Sequence, residues 1–240
     1  MMSRWEYVAD TKTVGNLIVQ VVADMLGEAS NPRDDSNVSR IYGEHRHYTI
    51  GDGEPPADEM AALERGGIRL LYRWLRRYKG VVAFTKLGMY DHSGITVYSV
   101  PIGNNGHHAF DSAGWDSGIV GYAYVSRETW TECCGDDDPL APVDGEMKIG
   151  FGTIPVTMTK AAKYLEDEID IYDSYVKGEV WGYVVTKPCD HGHEDEDEDT
   201  IAACPHSEIL DSCWGFIGED KYAMEEGLSV AKWHVEHAGV

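Results

Sequence analysis

At 240 residues the chain is long enough to bury a substantial core within one domain. Its 20 Lys and Arg against 42 Asp and Glu give a net charge of −22, which disfavours direct binding to duplex DNA through a broad basic surface. No apolar run approaches the ~20 residues that span a bilayer, so a cytoplasmic protein without membrane spans is expected.

Removing the acidic run at 194–199 still leaves −16, so the acidity is spread along the chain and points to a partner with a basic surface. Solubility alone is the plainer reading of the same charge. Five cysteines, two of them adjacent at 133 and 134, do not make a disulfide framework.

In chain order, the β-branched stretch 17–23 reads as a strand between glycines. Residues 30–37 are turn chemistry, and 38–50 read as extended, ending in Gly51-Asp52-Gly53. From 57 to 79 the pattern is helical, with Met60, Leu63, Ile68, Leu71, Trp74, Leu75 and Tyr78 on one side. Arg65, Arg69, Arg73, Arg76 and Arg77 take the other side, and Gly66-Gly67 is placed to kink the helix. Such an arginine row can hold phosphates; on an acidic chain it more often pairs with carboxylates of its own fold.

Residues 81–85 and 87–100 read as strands around Asp91-His92-Ser93-Gly94, followed by a glycine-rich loop at 103–114. Three stretches then share an aromatic and glycine pattern: 115–125, 180–185 and 211–217. They read as strands of one antiparallel sheet, with glycines where a ring or another backbone comes close. Residues 132–146 read as an exposed loop, 157–177 as a helix covering a sheet face, and 219–237 as a final helix. The expectation is a single α+β domain over 1–240, mostly antiparallel, with a long Cys/His/acidic loop at 187–208.

The motifs Tyr90-Asp-His-Ser-Gly-Ile-Thr96, Trp115-Asp-Ser-Gly118, Tyr172-Asp-Ser-Tyr175 with Gly178-Glu-Val180, and Asp211-Ser-Cys-Trp-Gly-Phe216, together with Arg46, Tyr48, Gly51 and Asp52, resemble a family of uncharacterised proteins encoded by bacteriophages and mobile elements. The resemblance covers roughly residues 31–220. It implies a phage accessory protein working in the cytoplasm of an infected bacterium, and it brings no activity with it. The Cys/His connection and the loop at 132–146 depart from the family pattern.

Two side-chain constellations carry candidate chemistry. The first is Asp91, His92, Asp116, Ser117 and Asp211, with His45, His47 and Asp52 as further members. Imidazole and carboxylate on one sheet edge suit a divalent metal or general acid–base work, with Asp91, His92 and Asp116 as the catalytic candidates. Asp-Ser beside glycine is equally ordinary turn chemistry. The second is Cys189-x-His191-x-His193 with Cys204-x-His206, two arms of one loop that could clip a structural zinc through Cys189, Cys204, His206 and either His191 or His193. The plain alternative is an acidic loop with incidental Cys and His.

Two function classes follow. In the first, the acidic surface occupies a basic groove of a host protein, as a counter-defence inhibitor that mimics nucleic acid. In the second, the protein is a metal-dependent hydrolase of a phosphodiester or small nucleotide.

Overall fold

In the computed structural model, which describes residues 7–25, 29–111, 113–149, 155–190 and 196–237, alternating and β-branched segments pair into antiparallel sheets and the amphipathic segments cover them. The chain is α+β, as expected, with five helices and 11 strands among the described residues. It divides into two compact units, residues 31–177 and residues 1–30 with 178–240, where a single domain was expected.

In the 31–177 unit the sheet runs β4 (Thr49–Gly51), β3 (Ser39–Glu44), β7 (Ser117–Ser126), β5 (Val81–Asp91) and β6 (Ile95–Val100). Period-two alternation gives it two buried faces. Ile41, Leu87, Ala123 and Val125 pack with Leu165, Ile169 and Tyr172 of the helix Lys160–Lys177. Tyr42, Tyr122 and Tyr124 point the other way, towards Ala62, Leu71 and Leu75 of α1 (Ala57–Tyr78). Non-helical Gly66 and Gly67 kink α1 where the sequence placed the break. Gly121 is required because a Cβ there would collide with the Tyr42 carbonyl of the neighbouring strand.

Three expectations are corrected in this unit. Trp115 precedes β7 and is not part of a strand. Part of the loop expected at 132–146 is structured: α2 (Arg127–Cys134) starts on a capping box between Ser126 and Thr129 and buries Trp130, and β8 (Pro142–Ile149) pairs with β9 (Pro155–Thr159). The helix expected from 157 is α3, and it begins at Lys160 because 157–159 belong to β9.

The other unit has a sheet of order β1 (Val8–Val14), β2 (Leu17–Ala23), β10 (Val180–Lys187) and β11 (Glu208–Ile217). Leu17, Val19, Val21, Tyr183 and Val185 pack against Ala223, Met224 and Ala231 of α5 (Lys221–His237). The short α4 (Glu198–Ala202) is capped by Asp197. At Gly182 a Cβ would run into the Trp214 ring, the ring-over-glycine contact that the aromatic pattern predicts.

The single sheet predicted from 115–125, 180–185 and 211–217 is therefore two sheets, and Trp115 lies in a different unit from Trp181 and Trp214. The repeated pattern reports a local event, a ring or backbone crossing a strand at glycine. Sheet membership depends on long-range pairing, which that pattern does not encode. None of the described helices is long and apolar enough to cross a membrane.

Candidate functional site

The strongest candidate lies at one end of the five-stranded sheet. The β5–β6 hairpin turns through His92-Ser93-Gly94, where Ser93 takes a left-handed φ of 61° and the His92 N–H donates to the Gly94 carbonyl at 3.1 Å. Tyr90 pairs with Ser117 at the start of β7, and the Asp91 N–H donates to the Asp116 carbonyl at 2.8 Å. Sheet register thus brings Asp91, His92 and Asp116 together, as the sequence suggested. His92 Nδ1 lies 3.0 Å from Asp116 Oδ2, and both side chains are open to solvent, 62% and 43% exposed.

The loop that leads into β7 is built around Asp111, which sequence reasoning missed. Its carboxylate accepts from the N–H groups of Trp115 (3.1 Å) and Asp116 (2.9 Å) and from the Ser117 hydroxyl (2.8 Å). Burial favours the protonated acid, but the Ser117 hydroxyl and these backbone donors outweigh it and hold the carboxyl at about 2. Ser117 Oγ in turn accepts from the His108 N–H at 3.0 Å. With its proton directed at Asp111, Ser117 is a structural link and not a nucleophile beside His92. The signal was present in the sequence, an aspartate four to six residues before a run of turn donors, but it is common in ordinary loops.

Pinned in this way, the loop presents Phe110 and Trp115 outward, 86% and 87% exposed. A row of rings continues across the rim: His108 stacks on Tyr90 with centroids 4.7 Å apart, Tyr90 stacks on His92, and Phe110 tilts against His108 at 5.4 Å. Beside this row is an open groove of about 630 Å³ lined by Tyr98, Asn104, Asn105, His107 and His108. Its wall is held by Tyr98, which donates to the Gly106 carbonyl at 2.7 Å, and by Lys86, which donates to the Asn104 carbonyl. Chemically the rim offers carboxylates, an oriented imidazole and open ring faces, a set suited to holding a cationic group.

The other members expected here are elsewhere. Asp211 belongs to the other unit, where it accepts from the Tyr183 hydroxyl at 3.0 Å; burial, and after it Asp211, pushes that phenol up. His45 and His47 form a ring cluster with Tyr48 in the β3–β4 turn. Asp52 is engaged by Arg33, which donates to it at 2.7 and 3.1 Å and also bonds Glu168 at 3.2 Å and the Ser39 carbonyl at 2.9 Å. Glu168 accepts from the N–H groups of Val38 and Ser39, both at 2.9 Å. This is a structural clip tying the 31–38 segment to α3.

A second buried acid also escaped the sequence reading. Glu59 in the first turn of α1 is fully buried and accepts from the hydroxyls of Tyr122 (2.9 Å) and Tyr124 (2.8 Å). Burial raises its pKa even though both phenols favour its charged form, and burial together with Glu59 raises both phenols. Its place in sequence three residues before buried Ala62, in phase with the apolar face, was the available sign.

In the long connection, Cys189 and Cys204 bring their Sγ atoms to 3.5 Å. Two sulfurs on a tetrahedral zinc with bonds of about 2.3 Å lie about 3.8 Å apart, so the pair fits two ligand positions. His206 is exposed, while His191 and His193 lie outside the described residues. Among the described residues no three or more His, Cys, Asp or Glu side chains gather as a metal site. The chain matches no protein-family model, no curated protein and no solved structure.

Proposed function

We propose that this protein acts by binding, docking its acidic surface onto a basic surface of a host protein as a phage accessory factor in the bacterial cytoplasm. Nucleic-acid mimicry against a defence effector is the specific form of this reading. The observation that carries it is the outward pair Phe110 and Trp115 beside Asp91 and Asp116 on a chain of charge −22. Exposed aromatic side chains anchor interfaces, ring faces and carboxylates together attract guanidinium and ammonium groups, and long-range charge speeds docking. The test is capture from host extract at low and high salt, with duplex DNA as competitor. A basic nucleic-acid-binding protein should be retained, displaced by DNA and lost in a Phe110→Ala, Trp115→Ala variant, with His92→Ala unaffected.

A second reading, a metal-dependent hydrolase of a phosphodiester or small nucleotide, is favoured by one observation, the imidazole of His92 oriented by Asp116 at 3.0 Å. Absence of any partner, together with metal-dependent phosphodiester cleavage abolished by Asp91→Ala or His92→Ala, would select it.

For the long connection, the proposal is one structural zinc with Cys189 and Cys204 as two ligands and His206 and His191 as the others. Protein purified without a polyhistidine tag should carry near-stoichiometric zinc by elemental analysis, lost in Cys189→Ser, Cys204→Ser. Metal-free starting protein rejects it.

A further inference from the structure

The charge of the chain is unevenly placed in a way that the acidic reading does not use. Residues 65–90 contain no Asp or Glu and seven Lys and Arg: Arg65, Arg69, Arg73, Arg76, Arg77, Lys79 and Lys86. Beyond the kink in α1, Arg69, Arg73, Arg76 and Arg77 fall within about 100° of one another on the helix. That arc lies opposite Leu71 and Leu75, which are buried against the sheet, and all four arginines are exposed. Among the described residues, none of the four forms an ion pair, although the chain has 42 carboxylates.

An ion-paired row was the ordinary expectation for such a chain, and it is not what these four side chains do. Arg69 with Arg73, and Arg73 with Arg77, are like charges one turn apart, a spacing that destabilises a helix unless an anion is shared between them. Lys86 adds to the same region: burial and the nearby charge of Arg69 both lower its pKa. Two of the four guanidiniums lie over ring faces, and Lys79, which pairs with Asp58 at 3.5 Å, also lies over a ring. Arg76 lies over Tyr72 at 5.8 Å and Arg77 over Tyr78 at 5.7 Å, while Lys79 lies over Trp74 at 5.8 Å. Tyr78 is itself 63% exposed.

We propose that α1 beyond its kink binds single-stranded nucleic acid, with Arg69, Arg73, Arg76 and Arg77 contacting phosphates and Tyr78, at the end of the helix against Arg77, stacking a base. Planar guanidinium is the side chain suited to phosphate oxygens. A single strand is favoured over a duplex on two grounds. It exposes base faces to an aromatic side chain, and it carries a lower charge density towards a protein of net −22. This face shares no residue with the Phe110 and Trp115 rim, so each proposal can fail alone.

The test is fluorescence anisotropy of labelled oligo-dT and oligo-U on the full chain across a salt series, with the duplex and poly-glutamate as control anions. Four phosphate contacts predict a slope of log affinity against log salt of about −3. The slope should fall towards zero in Arg69→Gln, Arg73→Gln, Arg76→Gln, Arg77→Gln, and persist when the same four are changed to Lys. Tyr78→Ala should weaken binding about tenfold with the slope retained. Melting temperature checks that each variant folds, and the Lys and Tyr78 variants keep the test decisive if the Gln variant does not. No binding at about 50 mM salt, a Gln variant that binds like the parent, or equal binding of duplex or poly-glutamate overturns the proposal. So does salt-sensitive self-association lost in the Gln variant, which would assign the face to a second copy of the chain.

Discussion

Two charged clusters in the 31–177 unit use the same chemistry for opposite ends. Arg33 with Asp52 and Glu168 is almost closed to water, with side chains 2%, 15% and 16% exposed, and its donors and acceptors are shared with backbone groups of β3. His92 with Asp116 sits in the open, its side chains joined by a single bond. Burial turns the first into a fastener, because removing either partner strands a charge away from water. Exposure leaves the second free to exchange its partner for a ligand. A hydrogen-bonded ion pair therefore says little about role until its access to solvent is known.

The largest effect should come from breaking the closed cluster. Arg33→Ala is expected to cost about 3–5 kcal/mol, since it leaves the largely covered carboxylates of Asp52 and Glu168 without their cation. Arg33→Lys should recover only part, because an ammonium cannot reproduce the forked contact to Asp52. Urea unfolding of the three proteins side by side measures this. A loss under about 1 kcal/mol for Arg33→Ala would place the cluster with exposed pairs and undo the comparison.

Glu59 sharpens the same point with a second closed site. Glu59→Ala should cost about 2–4 kcal/mol by leaving two buried phenols without an acceptor, whereas Glu59→Gln keeps an acceptor and removes the charge. The sign of the pH effect follows from the raised folded-state pKa. The protonated acid is the form that burial tolerates, so its contribution is fully present below the unfolded value near 4.5 and is lost as pH rises through the folded value. Stability of the parent should fall over that window relative to Glu59→Gln, and thermal melts across pH 4–8 would read the difference. Parallel pH curves for the two proteins would show that the carboxyl titrates as it does unfolded.

These clusters also show where sequence was informative. The apolar phase of α1, its break at Gly66-Gly67 and the meeting of Asp91, His92 and Asp116 were legible because each follows from local periodicity or from one hairpin and its neighbour. The partition into two sheets was not legible, since β10 pairs with β2 more than 150 residues earlier and nothing local distinguishes it from a partner of β7. Asp111 and Arg33 were hidden for another reason. Both look like loop residues until the backbone folds donors and acceptors around them. Asp52 and Asp211 looked like members of the candidate site and were claimed by Arg33 and Tyr183, contacts that only the tertiary structure decides.

Asp111 stands between the two extremes, closed to water yet shaping an exposed loop. Asp111→Ala should release the N–H groups of Trp115 and Asp116 and the Ser117 hydroxyl, so the loop loses its fixed shape while the sheet core persists. Its carboxyl, held at about 2, contributes stability above the unfolded value near 3.8 that is lost only as pH falls through about 2. Near-ultraviolet circular dichroism at neutral pH should change in the variant with little shift of the far-ultraviolet signal, and capture of a basic partner should weaken. An unchanged near-ultraviolet spectrum would mean that Asp111 does not set the loop.

The smallest stability effect is expected at the open pair, and it separates the two functional readings. His92→Ala and Asp116→Asn should each change unfolding free energy by less than about 1 kcal/mol, because an exposed pair gains little beyond its contacts with water and is screened by salt. Asp116→Asn also leaves intact the two backbone groups that hold the rim, its carbonyl to Asp91 and its N–H to Asp111. Both variants should therefore keep the structure and alter only what the rim does. If the protein works by docking, partner capture should follow Trp115→Ala and tolerate His92→Ala, with Asp116→Asn chiefly reducing the salt dependence. If the pair performs acid–base chemistry, His92→Ala should lower turnover by about 10²–10⁴-fold while Trp115→Ala leaves it largely intact. A loss of several kcal/mol in either rim variant would mean that this pair fastens the fold after all, and the contrast with Arg33 would collapse.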